Sequence, residues 1–200
     1  MEILAIEGPA GAGKTSILKS IISETDAISL MKSEVYDPKI RDQTVAATLY
    51  RDMEYILGAL EHLVMGHQQV VADRFFLGGI VYDHFIKANK PLARLHTQSY
   101  LQNILRIINN LSSHFQSRQH IETMKRIHIK WIFEIPNVGT LQERRKKSGK
   151  TYPFDAHKEI TGYQKVYNDL IHLKLFEEAV SMEVITWQKL SAELKMDSST

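Results

Sequence analysis

Short apolar runs alternate along the chain with longer segments whose apolar positions recur every three or four residues. Ile3–Glu7 reads as a strand that enters a glycine-rich turn. From Lys14 to about Ser23, Ile17, Leu18, Ile21 and Ile22 fall at helical spacing. Ala27–Met31 suits a short second strand. Arg41 to about Met65 predicts a long helix, with Leu49, Met53, Ile56, Leu57, Leu60 and Leu63 on its apolar stripe and Gly66 placed to end it. Gln69–Asp73 predicts a buried strand, and Phe75–Ala88 a return to helix. Pro91 opens a further helical pattern carrying Leu101, Ile104, Leu105 and Ile108, and Ser112–Arg126 is polar enough for a loop. His128–Ile135 is rich in strand formers, Val138 to about Lys147 is helical, and Asp155 to about Ala179 is helical again. Met182–Thr186 and Lys189–Lys195 predict a last strand and a last helix. Strands separated by helices imply parallel βαβ units in a three-layer α/β domain.

The 200 residues read as one domain without internal repeat or linker, and a chain of this length buries roughly 70% of its unfolded surface. It is 44% hydrophobic and 24% charged, which excludes a disordered or collagen-like class. Its 25 Lys+Arg against 23 Asp+Glu leave a formal charge of +2, too balanced to point to nucleic acid. The absence of cysteine removes disulfides, zinc fingers, iron–sulfur clusters and thiol nucleophiles. Met1–Glu7 has no basic start and no apolar stretch approaches a membrane span, so a cytoplasmic protein without membrane partners is expected.

Gly8-Pro9-Ala10-Gly11-Ala12-Gly13-Lys14-Thr15 fits G-x-x-x-x-G-K-[ST] in full, after an apolar run and before an apolar helix. Glycines let the backbone curl so that its N–H groups converge on phosphate oxygens, and the helix start presents its positive dipole end. Residues Gly8 to Thr15 together with Ser16 are thus the expected ATP-binding loop. Lys14 is expected to lie exposed in the cleft and to reach the terminal phosphates, and Thr15 to ligate Mg²⁺.

Val70-Val71-Ala72-Asp73-Arg74 ends a strand in a carboxylate and a guanidinium. Asp73 suits Mg²⁺ and Arg74 suits phosphate oxygens; the plain alternative is a helix cap beside a surface arginine. Arg144, Arg145, Lys146, Lys147 and Lys150 form a basic run. A mobile cation there stabilises charge on the transferring group, whereas the plain reading is a solvated helix end. By helical spacing Arg144 and Lys147 share a face and Arg145 points elsewhere. Tyr82, Tyr36, Phe75 and Phe76 are candidates to stack on a base, or core aromatics. His62 and His67, five apart, do not share a helix face, so no zinc site is expected. No serine-hydrolase elbow and no Asn-Lys-x-Asp base-reading motif is present.

Ile6-Glu7-Gly8, Asp73-Arg74-Phe75 through Val81-Tyr82, and the basic run followed by Phe154-Asp155, Tyr163 and Tyr167 resemble thymidylate kinases, with features shared by deoxynucleoside kinases. The resemblance implies a P-loop NTPase fold with a five-stranded parallel sheet flanked by helices and a basic lid at about 144–153. It implies transfer of the ATP γ-phosphoryl group to a nucleoside monophosphate such as dTMP, with Mg²⁺. Lys14, Asp73, Arg74, Arg144, Arg145 and Lys147 are then the catalytic candidates, with Glu34, Arg51, Arg74 and Tyr82 toward the acceptor and Thr15 and Asp73 toward the metal. The family often dimerises, which leaves a homodimer open. Gly78 stands where the family has Ser, and the Glu-Arg-Ser of deoxynucleoside kinases is absent. A deoxynucleoside kinase, and a nucleotide-binding module without acceptor chemistry, remain the alternatives.

Overall fold

The computed structural model describes residues 1–30, 45–75, 77–82, 102–111, 113, 127–152, 154–172 and 180–197. Its strands are β1 (Glu2–Glu7), β2 (Ile28–Leu30), β3 (Gln69–Asp73), β4 (Ile127–Phe133) and β5 (Val180–Thr186). Its helices are α1 (Lys14–Glu24), α2 (Val45–Val64), the short α3 (Leu77–Ile80), α4 (102–111), α5 (Val138–Ser148), α6 (Ala156–Ile171) and α7 (Trp187–Asp197). The five strands form one sheet in the order β2-β3-β1-β4-β5, and every pairing is parallel.

β1 is central, with Ile6 beside Asp73 of β3 and Glu7 beside Phe133 of β4. A central strand of a parallel sheet is covered on both faces, and Ile3 through Glu7 are buried without a break. The two-residue strand period sorts the core into two halves. Ile3, Ala5, Val70, Ala72, Ile129, Trp131 and Phe133 face α2, α4 and α6. Leu4, Ile6, Val71, Ile132 and Ile185 face α1 and α7. The result is helix, sheet, helix, with the C-terminal edges of β1, β3 and β4 together at one end, where open parallel sheets bind ligands.

Four expectations need correction. Leu57 is not on the buried stripe of α2: it is 48% exposed, while Tyr55 and Ala59 are buried. Ile56, Ala59, Leu60 and Leu63 follow the i, i+3, i+4, i+7 rule, and Leu57 lies one step of about 100° beyond it. β4 stops at Phe133 rather than Ile135, because the Glu134 N–H makes a last bond to Glu7 O (2.9 Å) before Pro136. The helix expected from Asp155 to about Ala179 is shorter: Asp155 caps α6, accepting from His157 N (2.9 Å) and Lys158 N (3.1 Å), and the helix ends at Ile171. Phe75 precedes α3 and packs into the core. Met31, residues 83–101, 112, 114–126 and 173–179 lie outside the described residues. Among the described residues, no helix is long and apolar enough to cross a membrane.

Candidate functional site

The glycine-rich turn leaves β1 and wraps the start of α1. A Cβ at Gly8 would sit 2.3 Å from the carbonyl oxygen of Glu134, so only glycine lets the loop pass β4 this closely. Gly13 ends the loop with φ +104° as the residue before α1, and its carbonyl accepts from Ser16 N (2.9 Å) and Ile17 N (3.2 Å). A helix start of this kind, with N–H groups ahead of the first intrahelical bonds, can bind an anion. Thr15 and Ser16 are exposed at this helix start.

Lys14 is not exposed in the cleft. It is only 6% exposed, and its ammonium donates to the carbonyls of Gly8 (2.9 Å) and Pro9 (2.8 Å). Burial, then the neighbouring Arg74, pushes its pKa down to about 7. A flexible four-carbon stem lets the cation fold back onto the nearest oxygens of its own loop.

Asp73, at the end of β3, lies across from the start of α1: Thr15 Oγ1 donates to Asp73 Oδ2 at 3.4 Å. Asp73 Oδ1 is buried with no hydrogen-bond partner among the described residues. Two hard oxygen donors, one of them an unsatisfied carboxylate oxygen, fit Mg²⁺ held jointly with phosphate. The next residue, Arg74, has φ +61°, which for a side chain of this size costs roughly 1–3 kcal/mol. Its N–H bonds to Ile6 O (2.9 Å), and its guanidinium lies 5.6 Å over the Tyr82 ring.

Behind these groups lies Glu7, wholly buried, with Oε1 accepting from Leu77 N (3.2 Å). Its Oε2 and the buried Tyr163 hydroxyl have no hydrogen-bond partner among the described residues. Burial pushes the Glu7 carboxyl up to about 8, against the pull of Arg74 and Lys14. A Cβ at Gly78 would lie 3.3 Å from the Tyr163 hydroxyl and 3.8 Å from Glu7 Oε2.

The basic run divides into three roles. Arg144 reaches the loop, donating to the Ala12 carbonyl and to Glu134 Oε1 (3.0 Å), with its side chain 43% exposed. Arg145 is buried and fully engaged: Nε donates to Ala10 O (2.9 Å), Nη1 to Phe154 O (2.9 Å) and Nη2 to Glu159 Oε1 (2.8 Å). Its guanidinium also lies 4.7 Å over the Tyr152 ring. Lys147 is exposed. The expectation that Arg145 points away from the site is corrected: Arg144 and Arg145 both reach loop carbonyls, those of Ala12 and Ala10. A buried pair such as Arg145–Glu159 costs about 3–5 kcal/mol when one partner is removed, so Arg145 is a framework group and Arg144 the more exposed cation beside the loop.

Tyr82 stands on the far wall, packed on Phe154 (5.2 Å between centroids) and Tyr163 (6.4 Å). Its hydroxyl donates to Glu159 Oε2 (2.8 Å). Phe75 lies against Trp131 in the core and so is no base platform. Arg51 is on α2, its side chain outside the described residues, as are Glu34, Tyr36 and Phe76. His62 and His67 do meet, with ring centroids 5.7 Å apart, because Gly66 turns the chain back on α2. Among the described residues no group of three His, Asp or Glu is placed to hold a metal.

Glu7, Glu134 and Glu159 were missed as site residues. Two carried a signal: Glu7 continues the core-facing positions Ile3 and Ala5, and Glu159 sits in the stripe of Ala156, Ile160, Tyr163, Val166 and Leu170. A carboxylate on an apolar stripe is buried with partners. Glu134 follows a strand end and had none. Glu134 also borders a pocket of about 410 Å³, lined by Phe133, Ile135, Gln164, Tyr167, Asn168, Thr186 and Gln188.

No protein-family model matches this chain, and no curated protein matches it. Solved structures do. Deoxyadenosine kinase from M. mycoides with bound dATP superposes with a TM-score of 0.53 at 15% identity, covering 99% of this chain and 98% of that one. The same enzyme with products dCMP and a flexible dCDP gives 0.52 at 16% identity over the same shares. The chain therefore shares the fold of that kinase, a parallel sheet flanked by helices.

Proposed function

We propose that this protein is an ATP-dependent phosphotransferase that transfers the γ-phosphoryl group to a nucleoside monophosphate such as dTMP. The observation that carries the reading is the convergence of the Gly8–Ser16 loop, the Thr15–Asp73 pair and Arg144 at one end of the sheet. The loop and Lys14 bind the donor phosphates, and Thr15 and Asp73 would hold Mg²⁺, which would supply positive charge to the phosphates. Arg144 stabilises the charge that spreads over the transferring group. The pocket that shares Glu134 with Arg144 takes the rest of the donor. Arg74, next to Asp73 and with its guanidinium over the Tyr82 ring, meets the acceptor, and Arg51 and Glu34 are assigned to the same substrate. A monophosphate acceptor is already ionised and calls for such cations rather than a base.

A deoxynucleoside acceptor is the second reading, favoured by the likeness to deoxyadenosine kinase. A neutral 5′-hydroxyl needs a carboxylate beside it, and Asp73 would then act as base. The test is incubation with Mg·ATP and two acceptor panels, deoxynucleosides and their monophosphates, with ADP and product quantified. Product from a monophosphate supports the first reading. Product from nucleosides alone moves the assignment to the second. Nucleotide binding without transfer to either panel leaves a binding module and refutes both.

A further inference from the structure

Ala10, at the apex of the loop, is gripped at both ends of its backbone. Its N–H donates to Glu159 Oε2 (2.8 Å), and its carbonyl accepts from Arg145 Nε (2.9 Å). Arg145 and Glu159 are themselves joined at 2.8 Å, so the two side chains and the Ala10 backbone close a ring of hydrogen bonds. Glu159 Oε2 also accepts from the Tyr82 hydroxyl (2.8 Å). Glu159 is 0% exposed. One carboxylate on α6 thus ties together the phosphate loop, the basic end of α5 and the acceptor wall.

Three donors on two oxygens require the carboxylate itself. A carboxamide offers one acceptor oxygen and turns an NH₂ toward at least one N–H or O–H donor. The ring also directs the Ala10 N–H toward Glu159 of α6.

We propose that Glu159 is a positioning residue: through Arg145 it clamps the Ala10 backbone, sets the curvature of the phosphate loop and locks it to the α5 arginines and Tyr82. The inference rests on the phosphotransferase reading, and its test is built on nucleotide binding and amide exchange so that the two fail separately. Glu159→Gln should raise amide exchange across residues 8–13 while exchange in β1 stays unchanged. It should also weaken Mg·ATP binding by about tenfold, the loss of a charge-assisted hydrogen bond. Glu159→Asp, which keeps both oxygens one methylene back, should recover part of that loss. Arg145→Gln should weaken binding similarly, and the double variant Arg145→Gln with Glu159→Gln should lose little more than either alone. A purely structural role would loosen α6 generally and give additive losses. If Glu159→Gln does not fold, Tyr82→Phe, which removes one of the three donors, must show a smaller loosening of the loop. Wild-type exchange in the loop together with wild-type ATP affinity in a folded Glu159 variant overturns the clamp. A wild-type protein that binds no Mg·ATP overturns the kinase reading alone, and the exchange pattern then decides the clamp.

Discussion

Lys14 turns its ammonium back onto the carbonyl of Gly8, 2.9 Å away, at the entrance of the loop it is expected to serve. Burial there pushes its pKa down to about 7, so the folded protein holds this cation at a cost until an anion arrives. On the proposed function nucleotide phosphates would supply that anion, and the long stem would let the ammonium move from carbonyls to phosphate. Lys14→Met, which keeps the stem, should lower transfer by roughly 10²- to 10³-fold while melting close to wild type. Lys14→Ala should do the same and lose a further ~2 kcal/mol of stability for the space left in the packed loop. Steady-state transfer and thermal melts check both, and near wild-type turnover in Lys14→Met removes Lys14 from the site.

Glu7 makes stability depend on pH. Its carboxyl is pushed from 4.5 up to about 8 by burial. Between those values the folded state holds a proton that the unfolded chain has released. Its contribution is therefore full below about pH 4.5 and is lost as pH rises through 8, with a slope of at most ~1.4 kcal/mol per pH unit. Lys14, lowered from 10.5 to about 7, has the opposite sign and acts only above that value. Urea midpoints at pH 5, 6 and 7 should fall for the wild type relative to Glu7→Gln, which does not titrate. A constant difference between the two proteins across this range rejects the buried, protonated carboxyl.

Arg144 and Lys147 should separate sharply although both belong to one basic run. Arg144 contacts the loop at Ala12, whereas Lys147 is exposed. Arg144→Ala should lower the single-turnover transfer rate by about 10³-fold, the scale of a transition-state arginine. Lys147→Ala should stay within about twofold, as for a surface charge away from the reacting groups. The reverse ranking would assign the role to Lys147.

The sequence by itself determined the elements and the chemistry that is local in the chain. Two-residue alternation marks the strands, three-to-four-residue spacing marks the helices, and Gly8 to Thr15 matches an anion-binding pattern that is written in consecutive residues. Asp73 was readable for the same reason, as the polar end of an apolar run. The tertiary structure alone decided which cations meet the loop. Arg144 and Arg145 stand side by side in sequence, yet only the packing of α5 and α6 against residues 8–13 engages Arg145 with Glu159 and leaves Arg144 beside Ala12. It also decided that Lys14 is buried and that Leu57 is not. Partners separated by 58 residues, such as Thr15 and Asp73, or by 149, such as Ala10 and Glu159, leave no local spacing to read. They meet because parallel strands place their C-terminal ends at one edge and because a carboxylate removed from water must find donors wherever the fold supplies them.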